Sequence, residues 1–333
     1  MAEYDVLTIG NAIVDIIARA DDAFLEREGV QKAGMTLIDA ERAEHLYDAM
    51  GPGTETSGGS AGNTIAGLVS LGGTGAYIGK VANDQLGRIF THDIRALGVK
   101  FDTTPLDTTP PTARCMVLVT PDGERSMSTF LGACTELGPQ DIDASLVAAA
   151  KVTYFEGYLW DPPRAKEAIV AAAKIAHENG REVAMTLSDS FCVHRYRAEF
   201  LDLIRSGTVD IVFANEAEAK ALYETEDMDA AIDALAKDVK RFAAVTRSEK
   251  GCIVAEGEQR ITVPATAVDK VVDATGAGDL FAAGFLRGYT MGLDHEKSAR
   301  LGVASAGHII GQIGPRPQLP LTDLDAVKAV LNG

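Results

Sequence analysis

The chain runs to 333 residues, 46% of them hydrophobic, with a formal net charge of −17. Such a composition can fill a sizeable core and excludes global disorder. The acidic balance argues against general nucleic-acid binding and against attraction to an anionic membrane, both of which need a basic face, while leaving room for a local basic pocket.

Short apolar runs alternate with alanine-rich helical patterns along the chain. The first run, Val6–Ile9, predicts a core strand close to the start of the sequence, so no secretory leader is expected. Ala12–Ala18 reads as a second strand with no helix before it. A helix is expected over Ser60–Leu71, a strand over Gly75–Lys80 and a helix over Leu86–Leu97. Ala113–Thr120 and Arg125–Leu131 read as a hairpin, because Asp122-Gly123 between them is a tight-turn signal. Core strands follow at Val152–Glu156, Glu182–Leu187, Ile211–Ala214 and Ala243–Thr246, with helices at Pro163–Glu178 and Glu216–Tyr223. Cys252–Ala255 and Arg260–Val263 make a second predicted hairpin, and Gly314-Pro315-Arg316-Pro317 reads as a loop.

Strands alternating with helices predict one α/β domain over residues 1–333, with a mostly parallel sheet covered on both faces. Ligands of such sheets sit beyond the carboxyl ends of the strands. The segments that break the alternation, about 12–18, 33–40 and 104–132, have two readings. They form a small separate sheet, a lid over a site, or they extend the edge of the main sheet.

The segment Asp273-Ala274-Thr275-Gly276-Ala277-Gly278-Asp279 carries the most chemistry. A small-residue turn running into a helix leaves backbone N–H groups facing outward, an anion site. A carboxylate beside such a cradle repels its ligand unless it has a task, and accepting a proton from an attacking hydroxyl is such a task. The competing reading is an acidic residue in a first helical turn, worth a few tenths of a kcal/mol. No GxxxxGK[ST] occurs, and Phe281 stands where the third glycine of a GxGxxG would be.

Four cysteines, at 115, 134, 192 and 252, form no CxxC pair, and the six histidines show no zinc-ligand spacing. A reducing, cytoplasmic setting without structural zinc is expected. No apolar run reaches membrane-spanning length.

Gly58-Gly59-Ser60-Ala61-Gly62-Asn63, followed by Leu71-Gly72-Gly73 and Gly79-Lys80-Val81-Ala82-Asn83-Asp84, resembles the N-terminal signature of the ribokinase-like (PfkB) carbohydrate and nucleoside kinases. Val272–Asp279 with Phe281, Ala283 and Gly284 resembles the C-terminal one. The resemblance covers essentially the full length. Gly10-Asn11-Ala12-Ile13-Val14-Asp15 and Glu124-Arg125-Ser126 are similar to the adenosine-kinase branch. Thr129–Cys134 departs from the Asn-Leu-Ala-Ala-Ala-Asn type of run usual there.

The resemblance implies a ribokinase-like fold with a small β-sheet lid. It also implies ATP- and Mg²⁺-dependent transfer of phosphate to the 5′-hydroxyl of a nucleoside, adenosine first. A sugar kinase acting on ribose, fructose or a similar compound is the alternative, and a non-catalytic nucleotide or sugar sensor a third reading. Partners would be a small-molecule substrate only, with the chain a monomer or a homodimer through the lid.

Residue by residue, the resemblance makes Asp279 the base, with Gly276, Ala277 and Gly278 as the anion hole. Asn11, Asp15, Gly59 and Asn63 would bind substrate hydroxyls, Glu156 would lie on the ribose side, and Phe130, with Leu131 and Trp160, would wall a purine. Asn215, Thr246, Arg247, Gly251 and His308, together with Gly276 and Gly278, would line the nucleotide site, with Ala304 and Gly307 near His308. Glu218 would hold Mg²⁺ through water, and Asp273 with Thr275 a potassium ion.

Structural readings stand beside these. Asn63 and Thr275 also suit helix starts, Glu156 an exposed strand end, Phe130 and Trp160 a core, and Asn215 with Glu218 a capped helix opening. Arg125 either neutralises phosphate as the lid swings in or pairs at the surface. Asp15 lies between Ile13-Val14 and Ile16-Ile17, where an unpaired carboxylate is costly.

Overall fold

The computed structural model describes residues 2–332. Eight of its strands form one sheet in the order β13-β12-β11-β10-β9-β8-β1-β5. These are β1 (Tyr4–Ile9), β5 (Gly75–Ile78), β8 (Ala150–Glu156), β9 (Glu182–Thr186), β10 (Ile211–Asn215), β11 (Phe242–Thr246), β12 (Cys252–Glu256) and β13 (Gln259–Val263). The six from β5 to β11 pair in parallel, and β12 and β13 extend the edge as an antiparallel hairpin. Near-continuous apolar sequence is what a strand buried on both faces requires. β5 and the interiors of β1 and β8 are accordingly buried.

Helices cover both faces. α3 (Ser60–Ser70), α4 (Gln85–Ala96), α10 (Ala277–Thr290), α11 (His295–Ile309) and α12 (Asp325–Leu331) contribute Ile65, Phe90, Leu280, Phe285, Leu301 and Val327 to one apolar layer. α5 (Ala144–Ala149), α6 (Pro163–Glu178), α7 (Ser190–Arg205), α8 (Glu216–Tyr223) and α9 (Met228–Asp238) contribute Val147, Ile169, Phe200, Leu222 and Leu235 to the other.

The remaining strands form a separate five-stranded sheet in the order β3-β7-β6-β2-β4. They are β2 (Ile13–Arg19), β3 (Met35–Leu37), β4 (Gly53–Ser57), β6 (Ala113–Val119) and β7 (Arg125–Phe130). The lid reading therefore describes these segments, and the edge-strand reading does not. β4 lies outside the expected segments. Its sequence, Gly-Thr-Glu-Thr-Ser, lacks apolar alternation because it is a largely exposed edge strand.

The period-two pleat gives the lid two unlike faces. Ile16, Ala18, Met116 and Leu118 pack under α1 (Asp22–Arg27) and α2 (Ala40–Ala49), against Phe24, Leu25, Ala43 and Leu46. Asp15, Cys115, Thr129 and Leu37 are register partners on the opposite face, as are Ile17, Val117, Met127 and Met35. The chain crosses between the sheets around residues 10–12, 58–59 and 131, and again between β5 and β6.

Candidate active site

Gly276 begins the site. Its φ of 78° sets the turn into α10, and a Cβ there would meet Pro315 Cβ at 2.7 Å. No side chain among the described residues caps this helix, so its first-turn donors are available to a ligand. Ala277 is the exception, with its N–H returned to the Ala274 carbonyl at 3.2 Å. Gly278 is exposed, with nothing within 4 Å of where a Cβ would stand.

Asp279 sits in the first turn of α10 and faces inward. Ser60 Oγ donates to its Oδ1 at 2.6 Å and Asn63 Nδ2 to its Oδ2 at 3.0 Å. Both donors lie at the start of α3. Burial pushes this carboxyl up to about 6, against the two hydrogen bonds and the charge of Arg316. The Asp279 carboxyl is thus largely ionised at neutral pH but close to its titration.

Across from it stands Asp15, on the cleft face of β2. Gly58 passes so close that a Cβ would meet Asp15 Oδ2 at 2.3 Å. Burial pushes the Asp15 carboxyl up to about 7; Arg316 and Arg125 pull it down, and Asp279 adds to the rise. Gly59 abuts the Asn11 carbonyl oxygen. Asn11 is buried, and its Oδ1 receives no hydrogen bond among the described residues.

Glu156, at the end of β8, is 1% exposed, unlike an ordinary strand end. Its Oε1 accepts from Asn11 N at 2.9 Å and Asn11 Nδ2 at 2.8 Å, and its Oε2 accepts from Ala61 N at 2.8 Å. Both oxygens serve the protein, so Glu156 orients Asn11 and pins the start of α3. Burial drives its carboxyl up to about 7.

The proposed purine walls move. Phe130 pairs with Arg114, one residue off the Asp15–Cys115–Thr129 row, and packs beside Ile16, Leu46 and Met116 on the helix-covered side of the lid. A one-residue offset in a strand reverses the face, so Phe130 does not front the cleft. Trp160 lies in the main core, its Nε1 donating to Glu199 Oε2 at 2.7 Å. The apolar cleft face consists instead of Ile13, Ile17, Val117, Met127, Met35 and Leu37.

Arg125 and Asp273 meet at the cleft rim. The guanidinium pairs with Asp273 Oδ2, which also accepts from Gly314 N at 2.8 Å, while Oδ1 accepts from Thr275 N at 3.0 Å. Arg125 therefore pairs with the loop ahead of α10 rather than at the open surface.

On the nucleotide side, a groove of about 750 Å³ is lined by Asn215, Thr246, Arg247, Lys220 and His194 among others. Asn215 caps α8: its Oδ1 accepts from Glu218 N at 2.9 Å, and the two Glu218 carboxylate oxygens in turn accept from Asn215 N and Nδ2. Burial pushes Glu218 up to about 7. Arg247 pairs with Glu216 at 3.8 Å, and Gly251 closes the turn after Thr246. His308, near the end of α11, has a buried Nε2 with no partner among the described residues, and burial holds its imidazole below the usual range.

Arg316 is the site residue that the sequence left inside a loop. Its Nε donates to Asn63 Oδ1 at 3.2 Å, its Nη2 to the Gly58 carbonyl at 3.2 Å and its Nη1 to Ser57 Oγ. The only signal was an arginine held between two prolines in a Gly-Pro-Arg-Pro run.

The profile of the pfkB family carbohydrate kinases matches residues 6–321. Adenosine kinase of Saccharomyces cerevisiae is 29% identical over 332 residues, covering 93% of this chain and 96% of its own. Among solved structures, adenosine kinase from Sinorhizobium meliloti is 65% identical with a TM-score of 0.93, all of both chains being covered. A probable sugar kinase from Rhizobium etli is 61% identical with a TM-score of 0.95, over 99% of this chain and 100% of that one.

Proposed function

Because the chain belongs to the pfkB carbohydrate kinase family, we propose that it phosphorylates the 5′-hydroxyl of adenosine with ATP. The relatives named adenosine kinase support the substrate. The observation in the chain itself that carries the choice is the lid's cleft face. Ile17, Val117, Met127 and Met35 form an apolar row beside the Asp15 row. A flat purine can fill such a wall and a free sugar cannot.

In the reaction, Asp15 and the unfilled acceptor Asn11 Oδ1 take hydrogen bonds from ribose hydroxyls, and Glu156 holds Asn11 in place. The 5′-oxygen comes to rest beside Asp279. As that oxygen bonds to the γ-phosphorus and the bond to the β-bridging oxygen breaks, its proton passes to the Asp279 carboxylate and ADP leaves. The first-turn N–H groups of α10 beyond Ala277 meet the negative charge on the transferring phosphoryl oxygens. Lid closure keeps water from competing as acceptor.

The nucleotide lies along the groove by Asn215, Thr246, Arg247 and Gly251, with His308 toward its base. Mg²⁺, when bound with the nucleotide, would neutralise phosphate charge as the phosphoryl group transfers. Glu218, its oxygens turned to Asn215, offers it at most a water-mediated contact. Asp273 does not suit a potassium ion, because its carboxylate already faces three N–H donors, from Arg125, Thr275 and Gly314. The four cysteines are free and buried, which suits a reducing cytoplasm. No helix among the described residues is long and apolar enough to cross a membrane.

The test is ADP release with adenosine, inosine, guanosine, cytidine, ribose and fructose as acceptors. Adenosine should give the highest kcat/KM. A clear preference for a free sugar overturns the nucleoside assignment.

A further inference from the structure

We propose that Arg316 is a positioning residue for the base, acting through Asn63: it fixes which end of the Asn63 amide faces Asp279. The proposal rests on Asp279 being the proton acceptor. Asn63 bridges two groups of opposite demand. Its Oδ1 accepts from Arg316 Nε at 3.2 Å and its Nδ2 donates to Asp279 Oδ2 at 3.0 Å. Guanidinium can only donate and an ionised carboxylate can only accept, so between them the amide has one allowed orientation. Without Arg316 the amide is free to flip, and its carbonyl oxygen would then confront the carboxylate.

The loop carrying Arg316 is itself held at several points. Gln312 Nε2 donates to the Arg316 carbonyl at 2.8 Å, Pro315 packs on Gly276, and Gly314 N bonds Asp273 at 2.8 Å. One short segment therefore touches the anion loop, the partner of the base and the end of β4. The titratable and charged groups around Asp279 are Arg316 from this loop, Asp15 from β2 with Arg125 of β7 beyond it, and Glu156 with the buried phenol of Tyr154 from β8. The Arg316 charge also reaches Asp279 through space, a smaller part of its effect that the loss of Asn63 leaves in place.

The expected consequence has a sign. The base works ionised, so the rate falls as pH drops through its titration. Loss of an opposing charge and of a correctly turned donor both favour the protonated form. The acid limb of kcat in Arg316→Met should move up by roughly one pH unit. With the Asp279 carboxyl starting at about 6, the rate should fall about twofold at pH 7 and about tenfold at pH 5, with KM for ATP within about twofold of the wild type, since a residue that acts only on the base leaves nucleotide binding alone.

Wild type, Arg316→Met and Arg316→Lys are compared from pH 5 to 9 at saturating ATP, on whichever alcohol the wild type phosphorylates; failure with adenosine overturns that substrate without touching Arg316. Arg316→Lys keeps a donor and a charge, so it should restore the limb. In an Asn63→Ala background, Arg316→Met should shift the limb much less, because the relay is already cut. Arg316→Leu, which likewise has no donor, replaces Arg316→Met if the latter does not fold. An unmoved limb in the folded donor-less variant, or the same shift with and without Asn63, overturns the proposal.

Discussion

Arg125 and Asp273 form an ion pair that joins lid strand β7 to the loop ahead of α10, with side chains only 11% and 4% exposed. The lid is thus fastened to that loop by a contact that involves no substrate.

Breaking that fastening should free the lid. Arg125→Ala leaves Asp273 with two backbone donors and no countercharge, and a broken buried pair costs about 3 kcal/mol. Hydrogen exchange should therefore speed up in β6 and β7 while β8 to β11 keep their protection. Equal protection of the lid in variant and wild type would mean the pair holds nothing closed.

Asp279→Asn keeps a side chain of the same shape but cannot take the proton. Phosphoryl transfer should drop by about 10²–10⁴-fold. Binding of a non-hydrolysable ATP analogue, read by calorimetry, should change little, because the anion cradle is main chain. Retention of most of the rate removes Asp279 as the base.

Asp15 binds its proton more tightly in the folded chain, at about 7 against an ordinary 3.8. Its contribution to stability is therefore complete below about pH 4 and is lost as pH rises toward 7. Asp15→Asn removes this loss. At pH 8 the variant should be more stable than the wild type by on the order of 2 kcal/mol, with a flatter dependence of Tm on pH, while its KM for the acceptor rises. Glu156 and Asp279 shift in the same direction, so some slope should persist. A Tm at pH 8 below that of the wild type contradicts the assignment.

Met127 lies in the apolar row of the cleft face, register partner to both Val117 and Met35. Met127→Thr introduces a hydroxyl and removes contact area, so kcat/KM for adenosine should fall by about 10-fold. Any residual activity on ribose should be unaffected. Parallel losses on both acceptors would place Met127 away from the base.

What the sequence made legible was contiguous. Six parallel strands declared themselves as apolar runs, and Gly276–Asp279 carried its turn, helix start and acid within four residues. Asn63 and Glu156 could be singled out, but not the bonds that use them. Glu156 looks like a strand end until Asn11 and Ala61 are folded onto it. Phe130 illustrates a parity problem: which face a strand residue takes depends on register with its neighbour, and no local pattern fixes that. Arg316 reaches Asn63 across 253 residues of chain. Its surroundings in sequence have no periodicity to read, so only tertiary packing identifies it.

The crossings between the two sheets have a mechanical consequence. Around 10–12 and 58–59 they run through or beside Asn11, Asp15 and Gly59, the residues that the proposed reaction sets nearest the acceptor. The pivots of the lid and the grip on the acceptor are therefore largely one set of atoms. A compound filling only the nucleotide groove leaves those pivots loose, whereas one that engages Asn11 and Asp15 sets the lid angle as it binds. Inhibitors of the second kind should rigidify both sheets together, and the acceptor should act as the clamp that readies the chain for its second substrate.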